Sequence, residues 1–193
     1  MSIVERLWRA KWPIFVLVIF VLFVTKCVPR PINDLEVLNV SRLTDQQSIK
    51  IRRDIQDTTG FEVSHAILWH VQLSGNANWI NEVQKHELNG YFIAKNCAHQ
   101  DWGIFGYGPF ADGTEVGAYG ESIENVDVSE RPTIIYDVYI PETGRYRSAK
   151  NFNSKQPTYN LNEDLVEICL SIAGGAMHGA YGKSNEVRFH LKS

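Results

Sequence analysis

The sequence predicts a mainly β fold, a β-sandwich with one short helix, carried behind a single N-terminal transmembrane helix. Three observations predict it. Trp12–Val28 (WPIFVLVIFVLFVTKCV) holds eleven consecutive Ile, Phe, Val and Leu residues, from Ile14 to Val24. About seven later segments are strand-like, several alternating apolar and polar residues, with Gly, Pro, Asn and Asp turn signals between them. Only one later segment has helical spacing, and many short strands with a single helix fit a sandwich.

The N-terminal run comes first. Fourteen uncharged residues separate Lys11 from Lys26. If Lys26 snorkels to the headgroups, the span reaches Val28, seventeen residues and the lower limit for a bilayer-crossing helix. Trp8 and Trp12 stand where interfacial aromatics belong, and Pro29 and Pro31 end the helix. A cleaved signal would need small residues before its cut, whereas residues 24–28 read Val-Thr-Lys-Cys-Val, so an uncleaved anchor is expected. Arg6, Arg9 and Lys11 precede the span, against Lys26 and Arg30 after it, which places the N-terminus inside. Residues 1–11 are then a short cytoplasmic N-terminus, 12–28 the anchor, 29–34 a linker and 35–193 an exported domain in the periplasm.

Leu35–Val40 and Ser48–Arg53 (SIKIRR) read as edge-like strands. Phe61–Leu73 reads as the clearest strand, apolar at every odd position except His65, with Ser74-Gly75-Asn76 ending it. On that apolar face His65 is expected as a core histidine. Asn78–Leu88 is the helix: Asn78 can cap it, Trp79, Ile80, Val83 and Leu88 fall on one face, and Asn89-Gly90 closes it. Tyr91–Ala94, Thr133–Ile140, Leu165–Ile172 and Glu186–Lys192 read as further strands, and Pro141-Glu-Thr-Gly-Arg145 as a turn between two strands. The piece Tyr136–Tyr146 looks like the strand–turn–strand of jelly-roll and immunoglobulin-like domains.

The unusual stretch is Asn96–Glu130. It holds seven carboxylates (Asp101, Asp112, Glu115, Glu121, Glu124, Asp127, Glu130), while all 19 Lys and Arg residues lie elsewhere. Trp102, Phe105, Tyr107, Phe110 and Tyr119 alternate with glycines inside it. A loop of this length is uncommon unless functional, and aromatic anchors within an acidic rim suit a basic protein partner. A glycine-rich loop whose aromatics cap the core is the competing reading.

Catalysis finds little footing. The net charge is −3 and no basic stripe occurs, so nucleic acid is not the expected partner. No nucleophile elbow, His-Glu-x-x-His, phosphate loop or dinucleotide fingerprint is present, and no cofactor or metal site is expected. His99 and Asp101 lack a third ligand at useful spacing. Cys27 sits at the membrane edge, leaving Cys97 and Cys169 as one pair that an exported domain could oxidise. Cys169 is expected to share a strand face with Glu167 and Ser171, opposite Ile168, Leu170 and Ile172.

In layout the chain resembles the small inner-membrane-anchored immunity proteins that neutralise toxins delivered into the periplasm: one tether, one compact β domain and one charged plug. The resemblance implies a non-enzymatic inhibitor that occludes the basic cleft of a toxin or enzyme. It rests on organisation, so no site residue follows from it. Two other classes remain open: an envelope glycan-binding module stacking sugars on Trp102, Phe105, Tyr107 and Tyr119, and a structural component of an envelope assembly.

Overall fold

The computed structural model describes residues 34–60, 63–86, 89–99, 101–116, 131–147, 157–163, 166–175 and 181–191. The anchor segment 12–28 and residues 29–33 of the linker lie outside these; among the described residues no helix is long and apolar enough to cross a membrane. The chain is mainly β and every sheet is antiparallel. The first sheet is built from β1 (Glu36–Arg42), β2 (Leu68–Asn76), β5 (Tyr107–Ala111), β6 (Thr114–Glu115) and β7 (Thr133–Pro141), in the order β1-β2-β7-β5-β6. The second contains β3 (Asn89–Asn96), β4 (Gly103–Ile104), β10 (Glu167–Gly175), β11 (Tyr181–Lys183) and β12 (Val187–His190). Its order is β11-β10-β3-β4, with β12 also on β10. β8 (Thr143–Arg145) and β9 (Thr158–Asn160) form a separate pair.

The two large sheets share one hydrophobic core. Trp69, Val71 and Leu73 of β2, Tyr136, Val138 and Ile140 of β7, and Ile168, Leu170 and Ile172 of β10 are buried together in it. Helix α2 (Asn78–His86) adds Trp79, Ile80 and Val83, so the helix read from sequence is present and faces as expected. Gly90, at the start of β3, is required by a close approach: a Cβ there would collide with the Val116 carbonyl oxygen and lie 2.8 Å from the Trp79 ring.

The segment read as the strand Ser48–Arg53 is instead inside a second helix, α1 (Asp45–Thr59). Thr44 caps it: its hydroxyl accepts from the Gln47 N–H at 3.3 Å, and Gln47 Oε1 accepts from the Thr44 N–H at 2.9 Å. That reciprocal pair satisfies two donors a helix start otherwise leaves open. Gly60, at φ 69°, ends the helix with an N–H to the Gln56 carbonyl. Ser48 and Ile55 are buried and Ile51 half-buried, a 3.6-residue stripe that the Ile49/Ile51 alternation masks; Ile49 itself is exposed.

β2 also begins and ends later than the alternation implies. Residues 63–67 are not strand, and polar groups of Ser64 and Ala66 are taken by side chains rather than by a ladder. The Ser64 N–H donates to the Tyr107 hydroxyl at 2.7 Å, and Arg52 donates to the Ala66 carbonyl at 3.1 Å. His65 is therefore exposed, not a core histidine. Past Leu73 the strand continues, since Ser74, Gly75 and Asn76 pair with Ile135, Ile134 and Thr133. Pro141–Arg145 is not the turn that was expected: Pro141 ends β7, Glu142 bends the chain, and Thr143–Arg145 is itself β8, which leaves β7 to pair with β9.

Cys97 and Cys169 form a disulfide between the end of β3 and β10, 72 residues apart in sequence. Cys169 and Ser171 are as buried as Ile168, Leu170 and Ile172, so β10 is covered on both faces. β11 and β12 act as one interrupted strand. At the break, the Ser184 hydroxyl accepts from the Ile172 N–H at 2.9 Å, standing in for a ladder carbonyl. Beside it, the Asn185 side chain bridges to the first sheet: the Leu35 N–H donates to its Oδ1 and its Nδ2 donates to the Leu35 carbonyl, both at 2.9 Å.

The 72-residue separation makes the disulfide a strong constraint on the unfolded chain, worth about 4 kcal/mol in the loop-entropy description. Replacing both cysteines by alanine should lower the unfolding free energy from urea titration by an amount of that order, and the midpoint with it. Reductant should lower it in the parent protein and leave the double variant unmoved. Equal midpoints for parent and variant would show that the bridge adds no constraint.

Candidate functional site

The stretch Asn96–Glu130 is not one long loop. Its first part folds into β4, β5 and β6, and Tyr119, Glu121, Glu124, Asp127 and Glu130 lie outside the described residues. The aromatics divide. Tyr107 and Phe110 are buried in a second apolar cluster with Ile55, Val63 and Leu68, under α1, so they build the domain, and Phe110 also lines the groove described below. Trp102 is half-buried, stacked on His99 at 4.1 Å between centroids and leaning on Tyr146 at 5.0 Å. Phe105 remains exposed, its ring under the Arg147 guanidinium at 4.3 Å and edge-on to Tyr107.

The carboxylates divide too. Asp101 is exposed. Asp112 sits at φ 50° in the Asp112-Gly113 turn between β5 and β6, a two-residue hairpin that needs positive φ at both positions. It is paired with Arg131 at 2.6 Å, the first base after the acidic stretch. Glu115, on β6, is half-buried, and the loss of water raises its carboxyl above the usual range.

The side chains that converge lie one layer away, between α1 and the outer face of the first sheet. Ile51, Asp54 and Ile55 share a helix face by their three- and four-residue spacing. Opposite them stand Asp137 and Tyr139 of β7 and Phe110 of β5, enclosing a groove of about 300 Å³ beside Gly113. A cavity of that volume is at the small end of ligand sites. The helix is held in place by buried Ser48, whose hydroxyl accepts from the Leu68 N–H at 3.1 Å.

Pairing between β2 and β7 sets the groove's polar floor. His70 lies opposite Tyr139 and Gln72 opposite Asp137, all on the outer face. Asp137 Oδ1 accepts from Gln72 Nε2 at 3.1 Å and lies 2.7 Å from His70 Nε2. The His70 ring stacks on Tyr139 at 4.9 Å with 16° between planes, and Phe110 packs against Tyr139 at 5.9 Å. Burial, then the charge of Asp137, then that of Asp54 pushes the Tyr139 phenol up to about 12, so it is a neutral hydroxyl across the physiological range.

Asp54, His70, Gln72, Asp137 and Tyr139 were not among the residues singled out from sequence. The signal was there for two of them. Asp137 interrupts the apolar run Ile134-Ile-Tyr-Asp-Val-Tyr-Ile140, and His70 interrupts Leu68–Val71; a polar residue at a strand centre marks the face away from the core. Asp54 carried none, because its helix was not recognised. Among the described residues no group of three or more His, Cys, Asp and Glu is arranged to hold a metal ion.

Raising the Tyr139 phenol in the fold has a signed consequence. The unfolded tyrosine loses its proton near 10, the folded one near 12. Below 10 both states keep it and the contribution is fully present; from 10 to 12 the unfolded state ionises first and stability is lost. Tyr136 and Tyr159 are raised by burial in the same direction. The urea midpoint should fall between pH 10 and 12, and less steeply in Tyr139→Phe. A parallel fall in both proteins would remove Tyr139 from that effect.

Comparison with known proteins finds no family model, no curated protein and no solved structure that matches the chain.

Proposed function

We propose that this chain is a non-enzymatic binding protein of the bacterial envelope, held at the inner membrane by residues 12–28 with its β-sandwich domain in the periplasm. There it would act as an immunity or inhibitor protein, occupying the basic cleft of a toxin or enzyme through its acidic, aromatic side. The observation that carries the reading is the groove under α1. Phe110 and Gly113, from the acidic stretch, meet Asp54 and Asp137 there, so apolar walls and negative charge coincide on one concave surface. The Cys97–Cys169 bridge supports export, because such bonds persist in oxidising compartments.

A membrane tether would raise the local concentration of the inhibitor where its target arrives, and charge complementarity would speed the encounter. One observation favours a second reading. Tyr91 and Phe105 are exposed along a separate groove of about 330 Å³ lined by β3, β4 and the residues that follow β4, a surface on which an envelope glycan could stack.

The test is a pull-down with the full chain in detergent, beside a variant carrying Lys at positions 121, 124, 127 and 130. A single near-stoichiometric protein partner should be captured by the parent and weakened in the variant, with a difference that shrinks as salt rises. Capture of no protein by either bait would overturn the reading. Quenching of tryptophan fluorescence by oligosaccharides would then select the glycan module.

A further inference from the structure

We infer that the groove beside β3 and β4 is a binding site for an acidic sugar, its carboxylate held by Arg147 and its ring stacked on Phe105 and Tyr91. The assignment deepens the glycan reading, rests on it, and needs no protein partner. The main chain sets the cation. Gly103 and Arg147 exchange both of their N–H···O bonds, each at 2.8 Å, which fixes the Arg147 backbone against β4. From there the guanidinium lies over the Phe105 ring, 4.3 Å from its centroid, at the wall of the groove. The Lys and Arg salt bridges of the described residues use Arg42, Lys95, Arg131 and Arg188, so Arg147 has no carboxylate among those residues. Contact with a ring leaves the N–H donors of a guanidinium open, and its fork takes a carboxylate through two parallel bonds. One guanidinium balances one negative charge, whereas a phosphate monoester would bring nearly two.

The groove supplies the other contacts that a sugar needs. Tyr91 and Phe105 are exposed along it, and flat aromatic surface receives the C–H face of a sugar ring. Main-chain groups face it as well. The Ile172 N–H donates to Ser184 Oγ at 2.9 Å, and the Ile172 carbonyl accepts from the Ser184 N–H at 2.8 Å, both on the side of β10 away from β3. Ile172↔Phe92 is thus an unbonded pair of the antiparallel ladder, and the Phe92 N–H and C=O point toward the β4 side. β4 reaches only Ala94 and Lys95, so among the described residues Phe92 has no ladder partner on that side. One donor and one acceptor are too short a row for an added strand. They match the hydroxyls of a sugar, which donate and accept. A volume of about 330 Å³ suits the same small occupant better than an extended peptide.

Saturation-transfer NMR on the full chain in zwitterionic micelles is the test, with methyl glucuronide as the probe. Methyl glucoside, which lacks the charge, and N-acetyl-glutamate amide, which lacks the ring, are run beside it. Saturable binding of the glucuronide is expected, with each of the other two about 10-fold weaker or more. Arg147→Gln should weaken the glucuronide by about 10-fold or more, because a hydrogen bond between charged groups is lost. Tyr91→Ala, at an exposed position, should weaken it in the same direction. No saturable binding of either sugar would overturn the site and the glycan reading with it. Equal binding of the glucoside leaves the glycan reading standing and overturns the acidic assignment, as does an Arg147→Gln variant that binds like the parent. N-acetyl-glutamate amide bound as well as the glucuronide would make this a carboxylate site for an acidic peptide and overturn the sugar.

Discussion

The nine-residue antiparallel pairing of β2 with β7 is the constraint on which the rest depends. From Leu68↔Pro141 to Asn76↔Thr133 the register is unbroken, so side chains alternate without slip between two faces. One face supplies Trp69, Val71, Leu73, Tyr136, Val138 and Ile140 to the core. The other brings His70 to Tyr139 and Gln72 to Asp137. A shift of one residue would turn Asp137 and His70 into the core and dissolve the groove together with the hydrophobic centre. Fold and site are two sides of one ladder.

The parts of the fold that followed a strong period were legible in the sequence. The Val187, Phe189, Leu191 alternation of the last strand, the helix beginning at Asn78 and the strand beginning at Thr133 all recur in the structure close to their expected bounds. Ser48–Arg53 was misread because two isoleucines at alternate positions imitate a strand within a helix whose buried stripe is narrow. The better evidence lay at its ends, in Thr44-x-x-Gln47 and Gly60, where capping chemistry is more specific than a short hydrophobic pattern. The start of β2 was misread for the opposite reason. Its alternation is real, but the Tyr107 hydroxyl and the Arg52 guanidinium take its backbone groups, and distant side chains leave no local pattern.

The site was less legible than the fold. Acidic and aromatic density drew attention to Asn96–Glu130, whose described aromatics are largely structural, with Tyr107 and Phe110 under α1 and Trp102 against Tyr146. Its contribution to the groove is Phe110 and the turn at Gly113. The carboxylates of the groove come from positions 54 and 137, which a linear scan for charge clusters passes over. Convergence across a helix and three strands is a property of topology, and composition carries no trace of it. The disulfide is the intermediate case. Composition narrowed it to Cys97 and Cys169, and the β3–β10 register then brought the two within bonding distance.

The amide of Asn185 reads, in its bonding, as a spare peptide unit set sideways between the two sheets. It grips the chain at Leu35, beside Asp34, whose carboxylate accepts from the Asn76 N–H, so tension along the N-terminal segment enters the domain at these two residues. Without it, a pull would peel β1 from β2 one bond at a time, the weakest way to load a sheet. With it, part of the force passes at once through Ser184 and Asn185 into β10, the strand cross-linked to the end of β3 by the Cys97–Cys169 bridge. Such a load path shares tension between the two sheets. The same two hydrogen bonds that align the edge also decide where mechanical failure would begin.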